Sequence, residues 1–569
     1  MIAVKQMDDS MNPVEPLSQW CALPRFLCSL LLGGLGVAQA IEMPSSFNVV
    51  SGVTNSSSDE FDGGSSNSQP VTDLVNKWIQ KGYESRDLQG SPRCEDATFI
   101  RRVYLDLAGR IPTRVEFQQW MATERDRPQL VSKLLGSEDF VQHFTDLFDT
   151  LLMGRGSESQ YHQRQQSQWR AYLEASIREG RSWRKVVQEI LLARPNDESR
   201  KGSVWFLYER NNDYQEIAES ISPSIFGVRI ECAQCHDHMM ADEIKQAHYW
   251  GLVAFFNRSQ NGKKGDLLTV EESAIGGFSE FADLSGSSTP NFLTFLEVDR
   301  VSEERPAAGE EQKESDDLYG AHDSPLTGPV PKFSRREQFV TEVVQGHPRL
   351  ASAFVNRVWA MLMGRGLVHP FDEMDSMHRP SHPELLDALA QDTRVSDYDL
   401  RRLIRGIVCS HAYQQSSIKN ETHHDPASFA WYLERPLTGE QMARSVMVAL
   451  RGVGTADAVS LFRQQFPDVL PSDHVSTVKD ALFLSNENAF HEMIESSDQP
   501  EHLVPQILKA GSRNEQVGIL FETLFGRSPD ISEVEAVTQY LDDRADRIDG
   551  ALRQVIWSML TSAEFRLNH

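Results

Sequence analysis

The chain has 569 residues, 40% of them hydrophobic and 24% charged, which is enough apolar material for two or three cores. Its net charge of -26 at pH 7 excludes nucleic acid as a natural partner, because phosphates would be repelled, and is more simply a solubility feature.

The N-terminus reads as an export signal. Arg25 precedes an apolar run from Phe26 to Val37, and Ala38-Gln39-Ala40 supplies a small-x-small cleavage pattern. A signal peptide over residues 1–40 is expected, with no transmembrane segment left after cleavage, because the run is short for a span. An uncleaved anchor is the competing reading. Asp8, Asp9 and Glu15 are unusual so early in a signal, so Met7 and Met11 are alternative starts. Residues 41–70, with Ser56-Ser57-Ser58 and Gly63-Gly64-Ser65-Ser66, read as a disordered tether.

From Val71 the pattern is helical. Leu74, Val75, Trp78 and Ile79 share one helical face, and Ser91-Pro92 breaks the run. The stretch from Phe99 to Ala108 predicts a helix stopped at Gly109, and Thr113-x-x-Glu116 a capping box for the next one. Phe140, Phe144, Leu147, Phe148, Leu151 and Leu152 recur at helical spacing and mark core. Tyr249 to Phe256 is a dense apolar run that suits either a cofactor wall or plain core packing. Residues 258–334 change character: glycines, serines and acidic blocks surround one apolar stretch, Phe292 to Val298. Helical spacing resumes at Arg335. Capping boxes are expected at Ser381-x-x-Glu384 and Ser532-x-x-Glu535, and a last helix carries Leu552, Val555, Ile556, Met559 and Leu560. The predicted fold is mainly α: helical domains over 71–257 and 335–569, joined by a small irregular or β-containing insert.

The chemistry-bearing stretch is Cys232-Ala233-Gln234-Cys235-His236, followed by Asp237-His238. C-x-x-C-H is the attachment pattern of a c-type haem. Two thiols three positions apart lie on one side of a helical turn, where each can form a thioether with a porphyrin vinyl, and His236 is placed to give the iron its proximal nitrogen. The pair also suits a structural or redox disulfide. Zinc held by Cys232, Cys235, His236 and His238 is less attractive, because adjacent Cys235 and His236 would both have to reach one tetrahedral centre. A sixth haem ligand would have to come from the other face, which makes His238, Met239 and Met240 poor candidates. His382 is the first choice, with His248 and His411 behind it. Arg101 and Arg102 suit haem propionates, or Arg102 pairs with Asp106 along a helix. Cys94 and Cys409 are left either bridged or free.

Arg101-Arg102-Val103-Tyr104-Leu105-Asp106-Leu107-x-Gly109-x-Ile111-Pro112-Thr113, the Cys232–His238 stretch and the Tyr249–Phe256 run together resemble the planctomycete cytochrome-c-like domain. Asn356-Arg357-Val358-Trp359, Gly364-Arg365-Gly366-Leu367-Val368, Asp372 and Ser381 to Leu386 resemble the planctomycete-specific domain that usually follows it. The resemblance covers roughly residues 71–566 and implies secretion and a covalent haem c, but no particular reaction. Met239 stands where the family commonly has proline. Relatives often carry an additional cytochrome c domain that this sequence lacks, which implies a separate redox partner protein.

The first functional expectation is an exported haem redox protein of the periplasm or extracellular space, passing electrons or oxidising a substrate, with extracellular polysaccharide breakdown as one setting. The second is an extracellular glycan hydrolase using carboxylates among Asp106, Asp237, Asp372 and Glu384. The third is a cell-envelope structural or binding protein whose C-x-x-C is a disulfide.

Overall fold

The structure is a computed structural model. It describes residues 69–282, 286–307, 310, 312–320, 326–419, 425–451, 459–463, 465–466, 478–495 and 500–569. The expected signal and all but the end of the tether lie outside them.

The fold is mainly α. Four two-stranded antiparallel ribbons are its sheet structure among the described residues. Three of them fall within 259–301, inside the insert where β structure was expected. The fourth pairs Arg435–Pro436 with Leu567–Asn568 and stitches the C-terminus to the middle of the chain. No helix among the described residues is long and apolar enough to cross a membrane.

Hydrophobic packing gathers two clusters. The first takes in side chains from Val71 to Phe256, Leu293 to Leu296 and Phe339 to Tyr432. The segments on either side of the insert therefore share one core. The second is built from Leu437 to Phe565, and Leu105 and Ile111 reach into it from the first half. Each fully buried aliphatic or aromatic side chain contributes roughly 1.5–3 kcal/mol, so the shared core binds the two segments to each other.

The Asp96–Ala108 helix explains how the clusters meet. Every residue from Phe99 to Ala108 is buried, including Arg101, Arg102 and Asp106. A helix buried all round lies at the centre of a protein. Gly109 ends it at φ 66°, and the Thr113–Glu116 capping box forms as expected.

Two other caps differ from expectation. Ser381 is not an N-cap: its hydroxyl and its N–H both donate to the Leu367 carbonyl, while His382 occupies the cap position before Pro383–Val395. With Pro383 at the first helical position, one orphan N–H is already absent and no box forms. Near the C-terminus the box lies two residues earlier than expected, at Asp530 and Glu533, because the carboxylate of Asp530 accepts the Glu533 N–H in place of a serine hydroxyl.

Candidate functional site

The C-x-x-C-H stretch starts on a 3-10 turn, Glu231–Gln234, with Cys235 at its end and His236 just after it, between a π-helical turn, Ser222–Phe226, and the Gln246–Phe256 helix. Short π segments occur often at functional sites. Ala233 is fully buried and anchors the turn, while Cys232 and Cys235 are exposed and unpaired. The His236 imidazole is half-buried and its Nδ1 lies 2.7 Å from the Asp237 carbonyl oxygen. That contact assigns the proton to Nδ1 and leaves Nε2 with a free lone pair.

The turn is held to the helix that follows it. Trp250 Nε1 and Gln246 Nε2 both donate to the Gln234 carbonyl, at 3.0 and 3.2 Å. Asp237 accepts the Gln246 N–H at 2.8 Å and pairs with Lys245 at 3.3 Å. Trp250 is therefore the part of the Tyr249–Phe256 run that meets the motif. Tyr249, Leu252, Phe255 and Phe256 are buried, with both phenylalanines packed on Phe339, so most of the run is core rather than cofactor wall.

A second brace comes from residues more than a hundred positions away. Arg357, fully buried, donates to the carbonyls of Pro223 and Ser224 at the π turn. Burial pulls its pKa down to about 10, partly offset by the Asp372 carboxylate. Asn356 donates to the Val368 carbonyl and accepts its N–H, folding the 364–368 loop back on its helix. Asp372 then meets Arg229, three residues before Cys232, at 2.6 Å. Met374 N–H donates to the Gly227 carbonyl, and Glu243 accepts from the Ser376 N–H and hydroxyl. Gly227 is required here: its φ is 71°, and a Cβ would lie 2.8 Å from Met374 Sδ. Arg229, Glu243 and Arg357 had no role assigned from sequence. Their partners are backbone carbonyls or groups on distant segments, which no local spacing reveals.

The other candidates lie elsewhere. Arg101 donates to the carbonyls of Leu524, Glu564 and Phe565, and Arg102 to those of Tyr413, Gln415 and His569. Both are buried among backbone acceptors, so neither is available to a propionate. Arg102 does not pair with Asp106 either. Asp106 binds Arg435, Tyr413 at 2.7 Å and Asn568 at 2.7 Å. Asp237 and Asp372 serve the turn as described, and Glu384 is exposed on its own helix. Asp106, Asp237 and Asp372, considered for glycan hydrolysis, thus each serve different structural partners.

His382 packs under the first helix, Gln69–Ser85. Its ring lies 5.7 Å from that of Phe429, its Nε2 faces Gly82, and Nδ1 meets the Ser381 hydroxyl. None of these partners belongs to the Cys232–His238 turn. His248 Nδ1 accepts the Lys245 N–H, and His411 is exposed. His238 Nδ1 accepts the N–H groups of Met240 and Ala241, which diverts it from a zinc site shared with the cysteines. Among the described residues no group of three or more His, Cys, Asp or Glu side chains is arranged to hold a metal ion. Cys94 and Cys409 are unpaired, and burial pushes the Cys409 thiol up to about 11.

These features define a mainly helical protein whose exposed C-x-x-C-H turn is clamped between two halves of one core. Residues 74–261 match the PSCyt2 family, described as a protein of unknown function (DUF1549). Residues 335–456 match PSD1, also described as a protein of unknown function (DUF1553). The chain belongs to the family that carries these two domains in tandem, the planctomycete cytochrome-c-like domain followed by the planctomycete-specific domain. The first match contains the turn and the second contains Asn356, Arg357 and Asp372, so the brace is a contact between the two domains. No curated protein and no solved structure matches the chain.

Proposed function

We propose that this chain is an exported c-type-haem redox protein in which Cys232 and Cys235 anchor the porphyrin and His236 is the proximal ligand. The observation that carries the reading is the donor set itself. Two exposed, unpaired thiols stand beside a histidine whose Nδ1 is engaged by a carbonyl, on a turn tied to Trp250 and Gln246 and preceded by a π segment that buried Arg357 holds. Each thiol S–H adds across one vinyl C=C, so attachment needs no leaving group. Exposure lets attachment machinery reach both sulfurs, and the Asp237 carbonyl orients the imidazole so that Nε2 is the free donor. Bound there, haem supplies one-electron redox chemistry.

Haem c is attached outside the cytoplasm, so this reading places the protein in the periplasm or beyond, in keeping with the signal expected on residues 1–40. The cytochrome-c-like name of the first domain supports it. Electrons would be exchanged with a separate protein. Met239 and Met240, 82% and 64% exposed just after the motif, offer an adaptable apolar contact for such a partner. The proposal assigns no sixth ligand from the chain.

The test is production in an exporting host with a cytochrome c maturation system, followed by denaturation and acid–acetone extraction. The native chain should keep its iron porphyrin, and Cys232→Ser/Cys235→Ser should release whatever it holds. A reduced-minus-oxidised spectrum flat in the haem region, from cells that mature another cytochrome c, overturns the reading and leaves an exposed dithiol.

A further inference from the structure

An open groove of about 790 Å³, lined by no residue of the C-x-x-C-H turn, runs between the Glu158–Gln166 helix, the Glu198–Val204 3-10 segment and the tip of the Ser259–Lys264/Leu267–Glu272 hairpin. That volume is in the range of ligand-binding clefts. Nothing in the reading of the haem motif uses it.

Its wall contains an aromatic pair. Trp205 and Tyr208 stack with ring centroids 5.5 Å apart and planes 20° apart. Glu209 fixes the indole by accepting from Trp205 Nε1 at 3.0 Å. Its rim carries Gln163, Gln166, Gln168 and Asn211, all exposed. None of these four amides makes a side-chain hydrogen bond among the described residues, so each presents a free donor and a free acceptor. The backbone beneath is closely fitted: a Cβ at Gly202 would lie 2.1 Å from the Gln168 carbonyl oxygen.

The charges decide what kind of ligand suits it. Of the charged groups lining the groove, Glu209 pairs with Arg164 and Glu198 with Lys201, while Asp266 and Lys263 at the hairpin tip are exposed and of opposite sign. That leaves little to attract a polycation. A polyanion would be opposed by a chain of net charge -26. Free amides beside aromatic rings suit a neutral, polyhydroxylated ligand. Each amide can donate to one hydroxyl and accept from its neighbour, and the half-buried Tyr208 ring, backed by buried Trp205, can cover the apolar C–H face of a sugar.

We propose that this groove binds a neutral oligosaccharide segment. The site is independent of the haem reading. The test is affinity electrophoresis of the full exported chain through gels containing xylan, galactomannan, glucomannan or a mixed-linkage glucan, with dextran sulfate and polylysine gels as charged controls. At least one neutral polymer should retard the native protein. Gln163→Ala/Gln166→Ala should weaken that retardation at least five-fold with an unchanged circular-dichroism spectrum, because both residues are exposed. Tyr208→Ala should weaken it as well, and the amide double variant decides the matter if Tyr208→Ala fails to fold. The proposal is overturned if no neutral polymer retards the protein, if only a charged polymer does, or if the double variant is retarded like the native chain.

Discussion

The stretch from Arg101 to Thr113 and the stretch from Cys232 to His238 are both dense in side chains that do chemistry in other proteins, and the fold uses them in opposite ways. In the first, Arg101, Arg102 and Asp106 are buried and spend their hydrogen bonds on the C-terminus, on Tyr413 and on Arg435. In the second, the cysteines are exposed and form no bond with any other described residue, while the buried work falls to Ala233 and to backbone carbonyls. A buried charge must be paired or it is very costly, so an arginine–aspartate cluster inside a core is explained by the fold alone. Exposed thiols on a doubly braced turn are not explained by the fold, and that surplus order points to function.

Breaking the scaffold should have the largest effect. Asp106→Ala leaves Arg435 buried without its carboxylate and removes acceptors from Tyr413 and Asn568. Loss of one partner from such a cluster costs about 3–5 kcal/mol. The urea midpoint should fall steeply or soluble protein should vanish. A loss under about 1 kcal/mol would mean that the cluster is not the joint between the two cores.

Arg357→Met should come next, at about 2 kcal/mol, because it leaves the buried Ser224 carbonyl without its side-chain donor and the Pro223 carbonyl with the Gly227 N–H alone. It also tests the brace. The fraction of chains carrying covalent haem should drop more than it does for a core variant of equal urea midpoint. Equal drops for the two would reduce Arg357 to a stability residue.

Buried histidines supply a pH dependence on the scaffold side. Burial holds His347 and His382 down to about 4 and His143 down to about 3. Unfolded, each titrates near 6.5. Between those values the unfolded chain binds more protons than the folded one, so stability falls as pH is lowered from 6.5 towards 4 and is insensitive to these groups above 6.5. Each is worth on the order of 1 kcal/mol or more once the window has been crossed. The urea midpoint at pH 5.0 should lie below that at pH 7.5, and His347→Asn should narrow the gap. An unchanged gap would show that His347 is not held neutral. His382→Ala should likewise act on stability. A changed haem spectrum in that variant would instead make His382 the distant sixth ligand, against its packing on Gly82 and Phe429.

How much of this was legible in the sequence follows from where each interaction reaches. The helical stripes, the Gly109 stop and the Thr113–Glu116 box depend on residues within one or two turns, and all three are present. The hairpins of the insert were legible as a change of composition. The shared core across that insert was not, since nothing local says that Phe339 will pack on Phe255. The same holds for the site. The C-x-x-C-H spacing singles out the thiols and His236 as candidates, but the brace by Arg357 and Asp372 depends on chain segments joined only in three dimensions. Arg102 and Asp106, spaced four apart, suggested a helix pair, yet their partners came from segments more than three hundred positions away.

The smallest effect on stability should come from the residues that matter most to the proposed function. Cys232→Ser/Cys235→Ser changes two exposed side chains that have no bonding partner, so it should move the urea midpoint by no more than about 0.5 kcal/mol. Ala233 and the Trp250 and Gln246 bonds to the Gln234 carbonyl would hold the turn as before. The same variant should lose every covalently attached porphyrin, because serine hydroxyls do not add to the vinyls. Stability and attachment would then separate cleanly at this site, whereas at Asp106 they would fall together. If the double variant instead lost several kcal/mol in preparations lacking haem, the thiols would be part of the scaffold, and the contrast between the two motifs would collapse.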